Sequence, residues 1–220
     1  MKKVTFNSSS LWNSVLLFSA IFTAFAVPVL PVHLHRIAFS VAYTSIYISA
    51  ALSLENRSKT VVTLFITTII MQWISALLNL ELLNDVSKAF NVIFFLVVVF
   101  SLIRQISRAK EVSAGVILGS LTGYLLIGIV YSLFVFFIIR TIPEAYSTQM
   151  GEIVKGSHVD ASPPLYYTFI TISSTGYGDI VPLKPISRSL ATMMAVSGQF
   201  YIAVIVALLV GKFSSQRTSK

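Results

Sequence analysis

Of 220 residues, 55% are hydrophobic and only 11% charged, more apolar surface than a soluble domain of this length can hide. The 16 basic and 8 acidic residues give a net charge of +8, but no basic patch is interleaved with aromatics, so nucleic-acid binding is not expected and basic loops on one face of a membrane account for the charge better. The absence of cysteine excludes disulfides and thiolate metal sites.

Met1-Lys2-Lys3 opens a polar stretch ending in Ser8-Ser9-Ser10, and the first apolar run covers residues 11–30. Ala24-Phe25-Ala26 matches a signal-peptide cleavage pattern behind a lysine-bearing start. The run is nevertheless long enough to span a bilayer, and a span is the reading taken. Pro28 and Pro31 are expected to end this helix, with His33, His35 and Arg36 forming a tight connection. The His-x-His pair lacks a third or fourth ligand and reads as an interfacial loop rather than a metal site. Runs two and three cover 37–54 and 60–80, separated by Glu55-Asn56-Arg57-Ser58-Lys59.

Glu81 and Asp85 mark an acidic loop ending at Lys88, and run four, 89–103, is dense in Phe and Val. Arg104 and Arg108 lie four apart at the end of that run, in a segment read as a cytoplasmic linker. A voltage-sensing helix would instead carry several arginines at every third position inside the span. Run five, 114–139, places Gly115, Gly119 and Gly123 on one helical face, where another backbone can approach closely. A polar loop follows over 140–164, with Pro143, Glu144, Glu152, Lys155, Gly156, His158 and Asp160. Residues 165–174 are apolar but too short to span, and run six covers 186–210 before a short basic tail.

Between that short segment and run six stands Ser174-Thr175-Gly176-Tyr177-Gly178-Asp179, closed by Pro182. A dehydrated cation needs a cage of oxygens in place of its water, and backbone carbonyls supply one if successive peptides point the same way. Alternating ordinary and positive-φ residues achieves this, and glycine takes positive φ at almost no cost. Gly176 and Gly178 have that spacing. One chain supplies only one wall of such a cage, so four copies must meet on an axis. A short helix entering the membrane and ending at this stretch fits the exception for non-helical backbone shielded by protein or lining a watery cavity. Its carbonyl end would favour a cation.

Thr175-Gly176-Tyr177-Gly178-Asp179 resembles the selectivity filter of potassium channels, specifically the prokaryotic kind with a two-helix pore module. The resemblance covers roughly residues 114–213. It implies that Ser174, Thr175, Gly176, Tyr177 and Gly178 form the ion-binding filter for K⁺, with Asp179 at its mouth and Tyr177 pointing away from the ion path. It also implies a turret in the 140–164 loop and an inner-helix gating hinge at Gly198, for which tighter packing behind the filter is the competing explanation. The family usually has threonine where Ser174 stands and valine or isoleucine where Thr175 stands, so the innermost site is expected to be weaker or more hydrated. Tyr166 and Tyr167 replace pore-helix tryptophans of some members. Ile170 occupies the place of a glutamate behind the filter in others, so inactivation through that carboxylate is not expected. The first four runs resemble no family.

Six spans put both termini on one side. Ten bases (Lys2, Lys3, Arg57, Lys59, Arg104, Arg108, Lys110, Lys212, Arg217, Lys220) then share that side with two acids, Glu55 and Glu111, against six bases and six acids opposite. This bias places both termini in the cytoplasm and the filter at the extracellular face. The expectation is an all-α plasma-membrane protein with six transmembrane helices, a re-entrant pore helix and a filter, assembling as a homotetramer in the bilayer. Its modules are a four-helix domain at 1–110 and a pore domain at 111–220. The function expected is passive K⁺ conduction with no cofactor. A potassium uptake transporter subunit fits less well, since that class carries four degenerate filter loops in one chain. A non-selective cation channel usually departs from Tyr-Gly-Asp. A membrane enzyme would need a nucleophile with a base, a metal cluster or paired carboxylates within a span, and the sequence offers none.

Overall fold

The computed structural model describes residues 8–53, 59–78, 81–109, 111–148, 154–155, 158–159 and 161–218. Among these residues seven α-helices dominate: α1 Ser8–Ile21, α2 Val32–Ser53, α3 Lys59–Leu78, α4 Glu81–Arg108, α5 Ala114–Thr141, α6 Ser162–Ile172 and α7 Pro185–Thr218. Four short strands lie around α6: β1 Tyr146–Thr148, β2 Val154–Lys155, β3 His158–Val159 and β4 Ile180–Pro182. The chain forms two compact units, Met1–Leu126 with Leu208–Lys220, and Ile127–Ala207. Their boundaries fall inside α5 and α7, because they follow proximity in space, whereas the modules 1–110 and 111–220 follow the order of the chain. Lys2, Lys3, Glu55, Arg57, Lys110 and Lys220 of the charge count, and Glu152, Gly156 and Asp160 of the expected turret, lie outside the described residues.

Among the described residues, four helical stretches are long and apolar enough to cross a membrane: Leu11–Val29, Asp85–Arg108, Ala114–Thr141 and Pro185–Ser214. The chain is a multi-pass membrane protein by this measure. α2 falls short of it, carrying Ser40, Thr44, Ser45, Ser49 and Ser53 among its apolar residues. The sequence of α3 is apolar and free of charge over residues 61–78, the length a span needs, and its fully described part is Val62–Ser75. Hydroxyls in these helices bond back to the carbonyl four residues earlier, as Thr44 does to Ser40 and Thr68 to Leu64, each at 2.7 Å. That satisfies a polar side chain without water.

The first helix ends as its prolines require. Pro28 has no N–H for residue 24 and its ring crowds that carbonyl. The helix widens to a π turn over Phe22–Ala26 and tightens to a 3-10 turn over Val27–Val29. The connection is shorter than the sequence indicated. His33, His35 and Arg36 belong to the opening turns of α2, and the His35 ring bonds the Leu30 carbonyl oxygen at 2.7 Å. Two other charged segments expected as loops are helical. Glu81 and Asp85 open α4, and Arg104 and Arg108 close it. Charge at a helix end looks like loop in a hydropathy pattern, although it costs a helix nothing where it reaches past the apolar layer.

In the first unit, α1 packs on α2, α2 on α3 and α3 on α4. Tyr47, Phe94 and Phe95 are fully buried, with the Tyr47 and Phe94 rings edge to face at 4.7 Å. Beside them runs a polar chain. Tyr47 donates to Asn91 Oδ1 at 2.5 Å, Asn91 donates to Gln72 Oε1 at 2.9 Å, Ser87 donates to the same oxygen at 3.1 Å, and Gln72 donates to Ser40 Oγ at 3.1 Å. Polar groups inside an apolar bundle are tolerable when bonded to one another, and such a network then fixes which helices pair. Asn13 ties α1 to α5 through Nδ2 and the Gly115 carbonyl at 3.2 Å. Gly119 faces Leu102 of α4 without needing to be glycine, since a Cβ there would make an ordinary 3.7 Å contact with Leu102 Cδ2. At the end of α7, Lys212 Nζ donates to the carbonyls of Ile106, Ser107 and Ala109 at 2.5, 2.8 and 2.6 Å. A cation on the last carbonyls of α4 complements the negative end of that helix.

The core of the second unit gathers Val135, Ile139, Tyr146, Tyr167, Ile180, Leu190 and Met194. β1 and β4 pair antiparallel with Tyr146 opposite Pro182 and Thr148 opposite Ile180. Leu183 N and Ser187 Oγ both donate to the Ala145 carbonyl at 2.8 Å. The loop expected at 140–164 is therefore partly ordered against the residues that follow the Gly-Tyr-Gly stretch.

Candidate functional site

α6 begins with Pro163 and Pro164 in its first turn, where a missing N–H costs nothing. It buries Leu165, Tyr167, Thr168 and Ile172. Its far end is closed mainly by backbone, with Ser173 Oγ adding a bond to the Ile170 carbonyl at 3.3 Å. Ser174 N donates to Thr171 O at 3.0 Å and Thr175 N to Ile170 O at 2.9 Å, the paired bonds of a Schellman cap, and Gly176 N reaches the same Ile170 oxygen at 3.0 Å. The residue such a cap places in the left-handed region is Ser174, at φ +60°. The last-turn carbonyls that the sequence reading aimed at a cation are thus partly occupied by these N–H groups.

Beyond the cap the backbone alternates. Gly176 has φ +56° and Gly178 φ +78°, so positive φ recurs at 174, 176 and 178. No atom lies within 4 Å of where a Cβ would stand on either glycine. Residues 173–178 are exposed in the single chain, Tyr177 by 71%, so within one copy Tyr177 has no buried seat. Both ends of the stretch are anchored. At its C-terminal end Asp179 Oδ2 accepts from Tyr166 OH of α6 at 2.5 Å, and Oδ1 accepts from Ile180 N at 3.0 Å. At its N-terminal end Ser173 Oγ lies 2.9 Å from Thr175 Oγ1, and Gln199 Nε2 of α7 donates to Ser174 Oγ at 2.9 Å.

α7 approaches through Gly198. A Cβ there would stand 2.3 Å from the Ile172 carbonyl oxygen and 2.5 Å from Ile172 Cγ1. Gly128 does the same for α5, where a Cβ would meet the Phe169 ring at 2.5 Å. Sequence reasoning named Gly198 but neither Gly128 nor Gln199. An amide side chain within an apolar run was the available signal for Gln199. No pattern marked Gly128, which stands off the register of Gly115, Gly119 and Gly123.

The expected site residues Ser174 to Gly178 thus form one continuous exposed stretch that ends at the half-buried Asp179, held between α6, α7 and β4. Residues 121–215 match a family model described as an ion channel. The match supports an ion channel. It covers under half of the chain, taking in most of α5, all of α6, the Gly-Tyr-Gly stretch and most of α7. α1 to α4 lie outside the channel match. No curated protein and no solved structure matches the chain. Among the described residues no three His, Cys, Asp or Glu side chains gather where they could hold a metal ion.

Proposed function

We propose that the chain is one subunit of a homotetrameric, K⁺-selective channel of the plasma membrane. In this reading the backbone carbonyls of Thr175, Gly176, Tyr177 and Gly178 form the ion path, with Asp179 at the mouth and Ser174 at the inner end. The observation that carries it is the recurrence of positive φ at alternate residues, 174, 176 and 178, in an exposed stretch between a short helix and a long apolar one. A single exposed strand cannot encircle an ion, so its partners are three further copies. α7 leaves Phe200, Val204, Val206 and Val210 exposed in the single chain, available to other copies and lipid. Six crossings, by α1 to α5 and α7, put both termini in the cytoplasm. The crossing of α2 is eased by hydroxyls bonded within the protein. In liposomes holding the purified channel, Rb⁺ uptake should be fast and blocked by excess K⁺ but not by Na⁺. Equal uptake of Rb⁺ and Na⁺ would remove K⁺ selectivity from the account.

The same reading predicts shallow voltage dependence. Moving one charge through the field supplies about 2.3 kcal/mol per 100 mV, so steep gating needs several charges in the span. Arg104 and Arg108 occupy only the last turns of α4. A conductance–voltage curve should change by much less than one gating charge per subunit implies, and a measured charge of several per channel would contradict this.

A further inference from the structure

Three consecutive residues of α7 each make a specific contact with the elements around the Gly-Tyr-Gly stretch. Ser197 Oγ lies 2.9 Å from Tyr131 OH of α5. Gly198 brings the helix backbone against the Ile172 carbonyl. Gln199 then meets Ser174. The first two contacts fix the height and rotation of α7, so the third is set by the fold rather than by a free surface side chain.

A serine hydroxyl has one proton to give and two lone pairs to offer. The amide N–H of Gln199 takes one of those lone pairs at 2.9 Å and turns the hydroxyl toward α7. Ser174 is also fixed at φ +60° by the cap of α6, so its side chain leaves the backbone in a direction set by a turn and not by an extended strand. We infer that Gln199 is a specificity-determining residue of the ion path: it takes one of the two lone pairs of the Ser174 hydroxyl and turns that oxygen toward α7, which weakens it as an ion ligand. The innermost site then rests mainly on carbonyls, and loss of Gln199 frees the hydroxyl to bind the ion more strongly. This inference rests on reading 174–178 as the ion path.

The test uses Ba²⁺, a divalent ion of K⁺-like size, as a blocker applied from the cytoplasmic side of the full-length channel in planar bilayers. Gln199→Leu should tighten block about fivefold, the equivalent of one neutral hydrogen bond. Ser174→Ala alone should change block by less than about twofold, since its oxygen is already engaged. In the double variant the gain from Gln199→Leu should vanish, the non-additivity expected of two groups in contact. Gln199→Met, unbranched like glutamine and without a donor, serves if the leucine variant assembles poorly. Unchanged block in both Gln199 variants would overturn the inference. So would a gain that persists when Ser174 is alanine, which would assign the effect to the polarity of α7. Wild-type selectivity separates the two claims. An unselective wild type fails the ion-path reading, whereas a selective wild type without the Ba²⁺ shifts fails only the role of Gln199.

Discussion

Gly198→Ala should destabilise the assembled channel by about 1–3 kcal/mol per subunit, the cost of forcing a methyl into a packed contact. The methyl would stand 2.3 Å from a backbone carbonyl oxygen, and backbone cannot swing aside as a flexible side chain can. α7 must therefore back away from the end of α6, taking Gln199 from Ser174. The expected readings are a lower melting temperature in detergent, a smaller tetramer fraction and reduced current. Gly119→Ala is the control, since its Cβ would make an ordinary 3.7 Å contact with Leu102 Cδ2 and should leave all three nearly unchanged. A hinge at Gly198 predicts something different: normal melting and assembly with altered opening. That outcome would replace the packing account.

Gly178→Ala should abolish K⁺ conduction for the opposite reason. Nothing lies within 4 Å of the position a Cβ would take, so no clash is involved in the single chain. The cost is the backbone itself. At φ +78° an L-residue pays about 1–2 kcal/mol, and the four copies of the proposed tetramer would pay roughly 4–8 kcal/mol together. The local chain should relax out of the positive-φ conformation and break the run of alternating peptides. Rb⁺ flux into liposomes should fall to background while the helical signal in circular dichroism stays at the wild-type level. A conducting, K⁺-preferring Gly178→Ala channel would show that positive φ at 178 is not needed for the ion path.

The helices were legible because long apolar runs with few charges admit little else, and every run corresponds to a helix. What misled was charge at their ends. Glu81, Asp85, Arg104 and Arg108 look like loop in a hydropathy pattern, yet they extend α4 at both termini. The glycine spacing of the candidate site was legible because only glycine takes positive φ freely, and Gly176 and Gly178 stand there as expected. Ser174 was not legible in that role. Its left-handed backbone comes from capping α6, through bonds to Ile170 and Thr171, and nothing in a serine announces it. The pairing of β1 with β4 and the approach of Gln199 to Ser174 join residues 25 or more positions apart, and no local pattern encodes them. Ser174, expected at the innermost ion site, is therefore the residue whose setting the sequence described least well.

The most direct test of the account is the reversal potential of the purified wild-type channel with K⁺ on one side of a planar bilayer and Na⁺ on the other. Carbonyls of Thr175 to Gly178 replacing the water of a K⁺ ion predict a reversal potential far toward K⁺. Rb⁺ should substitute for K⁺, and the preference should shrink in Tyr177→Asp, where the side chain next to the two glycines is lost. A wild-type reversal potential near zero, unchanged by Tyr177→Asp, would contradict the assignment of this stretch as a K⁺-selective path.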